Sequence, residues 1–338
     1  MLMDLGGHPD VSAPLPWQGT FWMRLKQQLD DGKLPHALLL SGPEDTGKAR
    51  LALALARLLL CASPSGGLNC GKCHACELSA SGSHGDLCWL QPEEKSRVIK
   101  IDQVRRAVSF AQQTASFGSR KVMVLYPADS MNSNAANALL KALEEPSPGT
   151  YLILVCHRLH GVPATIRSRC QIMKLQPPEE AECLPWLDSL TGGRAHSESL
   201  LQLAGGRPML AERLCRDDNI ESTQAIQQAL TGVLCGVVPV SQVTPLLSDV
   251  DTGGFLAHLQ QSLQQLVRSQ SGSTLRTREG RAAFRLDAEL TRLRAAVEAG
   301  ANPNPQLMVE SILTRGQREL GGTLVSDNMK QQQGRPGQ

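Results

Sequence analysis

Aromatic residues make up only 3% of the 338-residue chain: five Phe, four Trp and two Tyr. So few rings cannot build a platform on which successive single-stranded bases stack. Charge of one sign is lacking too, with 34 Lys and Arg against 32 Asp and Glu. A formal charge of +2 supplies no broad cationic field, which argues against autonomous, non-specific binding to phosphate backbones. Long hydrophobic runs are missing as well. The longest, Leu51 to Cys61, is about three helical turns and contains Arg57, too short and too polar to cross a bilayer. Met1 to Val11 carries Asp4 and Asp10 and has no basic segment followed by an apolar one, so no signal peptide is expected. These features predict a cytoplasmic protein without a membrane partner. With 41% apolar and 20% charged residues the chain is ordinary globular material, long enough for two or three domains.

What is abundant is cysteine, ten in all, which a reducing compartment turns from bridges into metal ligands or core residues. Cys70, Cys73 and Cys76 have CxxCxxC spacing, and Cys61 precedes them by nine residues. Four thiolates suit tetrahedral zinc and leave no position for a catalytic water, so a structural zinc is expected. An iron–sulfur cluster is the competing reading of the same spacing. His74 is not counted as a ligand. The remaining six, Cys88, Cys156, Cys170, Cys183, Cys215 and Cys235, fall in or beside apolar segments, as core cysteines do.

Short, almost wholly apolar runs alternate with helical spacing through the first half. Ala37 to Leu40, Leu87 to Leu90, Lys121 to Tyr126 and Tyr151 to Cys156 are expected strands. Phe21 to Leu29, Lys48 to Cys61, a segment from a cap at Asp102 to about Ala115, and Asn134 to Glu145 are expected helices. That alternation predicts a parallel sheet covered on both faces. Beyond Pro177-Pro178 the pattern is all-helical, with short helices at Leu184 to Leu190, Ser197 to Ala204 and Met209 to Cys215, then longer ones at Phe255 to Val267, Ala282 to Ala299 and Pro305 to Leu320. The Gln/Gly/Pro-rich end is expected to be disordered.

Between the first strand and the second helix lies Gly42-Pro43-Glu44-Asp45-Thr46-Gly47-Lys48-Ala49. Its context is that of a phosphate-binding loop: Gly42 and Gly47 let backbone N–H groups curl around phosphates, and Lys48 would reach the terminal ones. Ala49 replaces the hydroxyl that holds magnesium, and Glu44 and Asp45 place negative charge in the loop. Two readings stand: a loop that binds nucleotide, or one that keeps only the shape. Hydrolysis also needs an acid at the end of a neighbouring strand, and the third strand ends in Tyr126-Pro127. Asp129 lies three residues too far along and, with Ser130, is taken as a helix cap. Arg167 and Arg169 in Thr165-Ile166-Arg167-Ser168-Arg169-Cys170 offer phosphate-binding forks, or are simply solvated.

The order of these motifs resembles the clamp-loader branch of the AAA+ superfamily that serves bacterial DNA polymerase III. The matching residues are His36-Ala37-Leu38-Leu39-Leu40, the Cys61/Cys70/Cys73/Cys76 set, Ile99-Lys100-Ile101-Asp102-Gln103-Val104-Arg105, the run Asn134 to Pro146, and Ser168-Arg169-Cys170. The resemblance runs from about Pro16 to Cys215. It implies an AAA+ P-loop domain over 1–176 with a zinc module inserted at 61–76, a helical lid over 177–216, a helical collar over 217–323 and a disordered tail over 324–338. It also implies a place in a heteropentamer with gamma/tau motor subunits and a delta subunit, acting on the sliding clamp and primed DNA. Arg169 would then be an arginine finger reaching a neighbour's ATP, with Ser168 and Cys170 setting its backbone and packing. Motor subunits of the family carry a nucleotide-sensing arginine where this chain has Met209. With Ala49 and Tyr126-Pro127, that implies a stator without ATPase activity of its own; the alternative is an ATP-hydrolysing motor of gamma/tau type. A zinc-containing nucleic-acid module is the remaining reading, disfavoured by charge and composition.

Overall fold

The computed structural model describes residues 9–93, 96–217, 220–247, 250–298, 301 and 303–320. The expected disordered tail at 324–338 lies outside them. The chain divides into two compact units, Met1–Arg213 and Leu214–Gln338.

In the first unit the order is α1 (Gly19–Asp30), β1 (Ala37–Ser41), α2 (Lys48–Leu60), α3 (His74–Ala80), β2 (Leu87–Leu90), α4 (Ile101–Gln112), β3 (Lys121–Leu125), α5 (Ser133–Glu144), β4 (Thr150–Cys156), α6 (Ala164–Arg167), β5 (Gln171–Lys174), α7 (Glu180–Thr191) and α8 (Arg194–Leu203). Helix α9 (Pro208–Arg216) carries the boundary. The five strands form one sheet in the order β2-β3-β4-β1-β5, every pair parallel.

Successive residues of a strand point to opposite faces. Accordingly Leu39, Met123, Leu125, Leu152 and Leu154 join the α4 and α5 side chains Val104, Ala107, Leu139 and Leu143 in one core. Leu38, Leu40, Val122, Val124, Ile153 and Val155 meet Trp22, Leu25, Leu51, Leu55 and Leu58 of α1 and α2 on the other. Both faces being covered, β1, β3 and β4 are apolar at nearly every position, as in buried parallel strands.

Three local expectations are corrected. Strand β5 was not expected: at the sheet edge only Met173 of its four residues is buried, so Gln171-Ile172-Met173-Lys174 has no apolar run to announce it. Asp102 is not a cap, because α4 starts one residue earlier and Gln103 Oε1 accepts the Lys100 N–H at 3.0 Å. Asp129 is not a cap either. It sits in a 3₁₀ turn, and α5 is capped by Asn132, whose Oδ1 accepts the Ala135 N–H at 2.8 Å.

The second unit is helical: α10 (Ile220–Leu234), α11 (Val240–Val243), α12 (Thr252–Arg268), α13 (Gly272–Leu275), α14 (Arg278–Glu298) and α15 (Pro305–Leu320). Leu256, Leu259, Leu263 and Leu266 of α12, Ala283, Leu286 and Leu290 of α14, and Val309, Leu313 and Leu320 of α15 form its core with Leu230, Val233 and Leu234 of α10. In α12 and α14 these positions recur at three- and four-residue intervals, the stripe of an amphipathic helix. Among the described residues no helix is long and apolar enough to cross a membrane.

Candidate functional site: a phosphate loop, a thiolate cluster and an exposed arginine

In an open parallel sheet, ligands bind beyond the carboxyl ends of the strands where the strand order reverses. Here β1 lies between β4 and β5, and the loop 42–47 leaves its carboxyl end. Gly47 has φ +83°, and an added Cβ would fall on Leu15 Cδ1, so this position is closed to other residues. Gly42 leaves β1 beside the Leu175 carbonyl.

The loop's polar groups are engaged within the chain. Lys48 is buried, and its ammonium donates to the Pro43 carbonyl, which also accepts from Thr46 Oγ1 at 3.0 Å. Burial lowers the Lys48 pKa to about 8, against the pull of Cys156, Glu44, Asp129 and Asp45. Asp45 stands at φ +58°. Its carboxylate takes Arg213 at 2.9 Å and lies 3.9 Å from Arg207, while its carbonyl accepts the Met209 N–H at 3.1 Å. Arg50, in the first turn of α2, makes a two-pronged pair with Glu212 at 2.7 and 2.8 Å. Helix α9 and the turn before it are thus drawn onto the loop by Asp45, the residue that sequence reasoning counted only as repulsive to nucleotide. Arg207 and Arg213 were missed, since nothing in their local sequence marks a partner more than 160 residues away.

Beside the loop, Tyr126 is pushed up to about 12 by burial, so its phenol is a poor metal ligand at neutral pH. His157 packs edge-on against it at 5.4 Å, and burial followed by Lys48 keeps the imidazole below its ordinary pKa. Asp129, the acid nearest in sequence to Tyr126-Pro127, is committed within the fold: it accepts the N–H groups of His157 at 3.0 Å and Arg158 at 3.2 Å, and pairs with Arg158 Nε at 3.3 Å.

The four expected cysteines come together. Sγ atoms of Cys61, Cys70, Cys73 and Cys76 lie within 4.8 Å of one another, with Cys61–Cys73 and Cys70–Cys76 each 3.9 Å apart. A tetrahedral ion with Zn–S bonds of about 2.3 Å needs S···S separations of about 3.8 Å, so the donor set fits a metal such as zinc. Backbone N–H groups of Cys70 and Cys73 point at the sulfurs of Cys61 (3.2 Å) and Cys70 (3.4 Å), stabilising thiolate charge. His74 is outside the cluster, exposed and 3.7 Å from Glu77.

Arg169 lies at the opposite end of the strands from the loop. It precedes β5, whose Gln171 is level with Leu38, while the loop follows Ser41. At about 3.3 Å per residue the two are roughly 15–20 Å apart along the strand direction. The guanidinium is partly exposed and held: Nε donates to Glu144 Oε1 at 2.7 Å, and Nη1 to the Thr165 carbonyl at 2.9 Å and Ser168 Oγ at 3.3 Å. Cys170 packs against the core under α4 and α5. Glu144 was not singled out from the sequence; as the last residue of α5 it reaches the edge where β5 begins.

Residues 17–179 match the sequence family described as DNA polymerase III, delta subunit. The chain is 46% identical over 201 residues to DNA polymerase III subunit delta' of Pseudomonas aeruginosa, covering 59% of this chain and 60% of that protein. It is 33% identical over 264 residues to the Yersinia pestis subunit delta', covering 76% and 77%, and 34% identical over 216 residues to that of Escherichia coli, covering 64% and 65%. The match thus spans less than two thirds of two of these three relatives. Among solved structures, a DNA polymerase III gamma subunit-related protein of Thermotoga maritima aligns with 88% of this chain and 99% of its own, at TM-score 0.51 and 18% identity, and shares the fold. With a relative one-third identical along three quarters of both proteins, this chain belongs to the DNA polymerase III subunit delta' family.

Proposed function

We propose that the chain is the stator of a DNA polymerase III clamp loader: it supplies Arg169 in trans to the ATP site of a neighbouring gamma/tau motor subunit and does not hydrolyse ATP itself. The observation that carries this reading is the placement of Arg169 and Lys48 at opposite ends of neighbouring parallel strands. An arginine so far from its own phosphate loop serves a nucleotide on another subunit, and such a finger is worth about 10³–10⁵ in rate. Glu144 holds the guanidinium in place beforehand. The loop in this chain has Lys48 turned onto Pro43 and Asp45 bound by Arg213, and the neighbouring strand offers Tyr126 in place of an acid.

On this reading the region 177–216 acts as the lid and 217–323 as the oligomerising collar of a heteropentamer that includes delta, in the cytoplasm, meeting the sliding clamp and primed DNA as one member of the assembly. Cys61, just past α2, and Cys70, Cys73 and Cys76 of the knuckle would hold a structural zinc, which would supply a cross-link and no catalytic chemistry. The degenerate loop stays closed to nucleotide. An equilibrium titration of the purified chain with a fluorescent ATP analogue, with a phosphate-release assay alongside, tests this. No turnover is expected; Lys48-dependent hydrolysis by the isolated chain refutes the stator and supports the motor.

A further inference from the structure

Arg57, in the last turn of α2, has 1% of its surface exposed, although a guanidinium is almost never fully buried without a counter-charge. Its hydrogen bonds are all to neutral acceptors. Nε donates to Ser79 Oγ at 3.1 Å, Nη1 to the Pro9 carbonyl and Ser12 Oγ at 2.7 Å each, and Nη2 to the carbonyls of Asp10 at 3.0 Å and Cys76 at 3.4 Å. The groups whose charge favours its cationic form are the thiols of Cys76 and Cys61 and the Asp10 carboxylate. Four thiolates around one divalent ion carry two net negative charges, a buried counter-charge in addition to that of the exposed Asp10 carboxylate.

A second buried side chain repeats the connection. Asn69, 1% exposed, donates to Cys76 Sγ at 3.4 Å and to the Asp10 carbonyl at 2.9 Å, and its Oδ1 accepts the Ser12 N–H at 2.8 Å. A side chain at Gly71, in the cysteine knuckle, would meet Val11 and the Asp10 carbonyl. The segment held this way continues over the phosphate loop. Trp17 Nε1 and Gln18 Nε2 both donate to the Thr46 carbonyl, at 3.0 and 3.3 Å, and Leu15 lies where a side chain at Gly47 would go.

We propose that the metal centre pins the segment 9–18 across the phosphate loop, with Arg57 as the buried positioning residue that converts thiolate charge into a hold on that segment. This rests on the reading of Cys61, Cys70, Cys73 and Cys76 as a metal site. The centre holds Arg57, Arg57 and Asn69 hold Pro9, Asp10 and Ser12, and Leu15, Trp17 and Gln18 cover the loop.

The test uses the full chain: metal content by mass spectrometry, and hydrogen–deuterium exchange of residues 9–18 and 42–47 before and after stripping with a chelator. The expected result is about one equivalent of metal and, on stripping, exchange in both segments faster by about tenfold or more, as a local opening, with β3 and β4 still protected. Arg57→Met should lose metal to the chelator more readily, by the roughly 10–100-fold typical of a lost supporting partner, and show the exchange of the stripped chain. Arg57→Lys, which keeps the charge but not the fork, should retain metal better than Arg57→Met. If the wild-type chain holds no metal, the metal reading fails and this proposal with it. If it holds metal but stripping leaves 9–18 protected, the metal reading stands and the proposal is overturned. Loss of protection in β3 and β4 together with 9–18 also overturns it, since the metal would then hold the whole unit. The stripping arm needs no variant, so a misfolded Arg57→Met does not remove the test.

Discussion

Replacing Lys48 by Met should stabilise the first unit. Lys48 is 2% exposed, and burial lowers its pKa from 10.5 to about 8. At 1.36 kcal/mol per tenfold change, that gap is a cost of about 3 kcal/mol for keeping the charged form inside the fold. Methionine has similar length, is a good helix former at the start of α2, and carries no charge. The Pro43 carbonyl is not orphaned, because Thr46 Oγ1 still donates to it. The sign with pH is fixed. Below pH 8 both folded and unfolded wild-type chains carry the proton, and the full penalty stands. Between pH 8 and 10.5 the folded chain has lost it and the unfolded chain has not, so wild-type stability rises with pH and the variant's advantage shrinks. Above 10.5 it is gone. All four tryptophans, at 17, 22, 89 and 186, lie in the first unit, so urea unfolding followed by tryptophan fluorescence reports on this unit. A gain of about 2–3 kcal/mol at pH 7 that fades by pH 10.5 is expected. A loss of stability at pH 7, or a difference that does not change with pH, refutes the reasoning.

Asp129→Ala removes the acceptor of two backbone N–H groups and should cost about 2–3 kcal/mol in the same assay; a change under about 0.5 kcal/mol would show that water replaces it. Asp86 is fully buried, and although burial opposes its charge, the N–H groups of Ser116 and Phe117 and the Lys121 ammonium hold its pKa below the ordinary value. Its contribution is therefore present at neutral pH and lost as pH falls through the folded value, and Lys121→Met should cost about 3–5 kcal/mol and move the acid transition, followed by circular dichroism, to higher pH. Asp45→Asn keeps a residue that tolerates the left-handed backbone at φ +58° and takes the charge from a pair whose Arg213 is half exposed, so a cost below about 1 kcal/mol in urea is expected. Glu144→Gln should leave stability within about 1 kcal/mol but lower the ATPase of a reconstituted loader, as Arg169 loses its orientation; unchanged turnover would count against Glu144 as a positioning residue.

Strands β1, β3 and β4 were legible because a strand buried on both faces is apolar at nearly every position. Edge strand β5 was not, since half-exposed positions carry Gln171 and Lys174. The Cys61/Cys70/Cys73/Cys76 cluster could be read from spacing because its ligands are close in sequence and chemically unambiguous. Asp129, Asp45 and Glu144 were misread or passed over for the opposite reason: their partners lie 28, 168 and 25 residues away, and only the tertiary fold brings them together. Arg57 did leave a signal. A lone arginine inside an apolar helical run has no route to water, and such a residue calls for a buried counter-charge. In the sequence it served only to show that the run was too polar for a membrane.

The division of labour proposed for Arg169 and Lys48 is tested most directly by reconstituting the clamp loader with Arg169→Ala or Lys48→Met in this subunit alone and measuring ATPase stimulated by clamp and primed DNA. Arg169→Ala should depress turnover at the neighbouring motor site by about 10³-fold or more, while Lys48→Met should leave it unchanged. Loss of turnover with Lys48→Met and none with Arg169→Ala would contradict that division of labour.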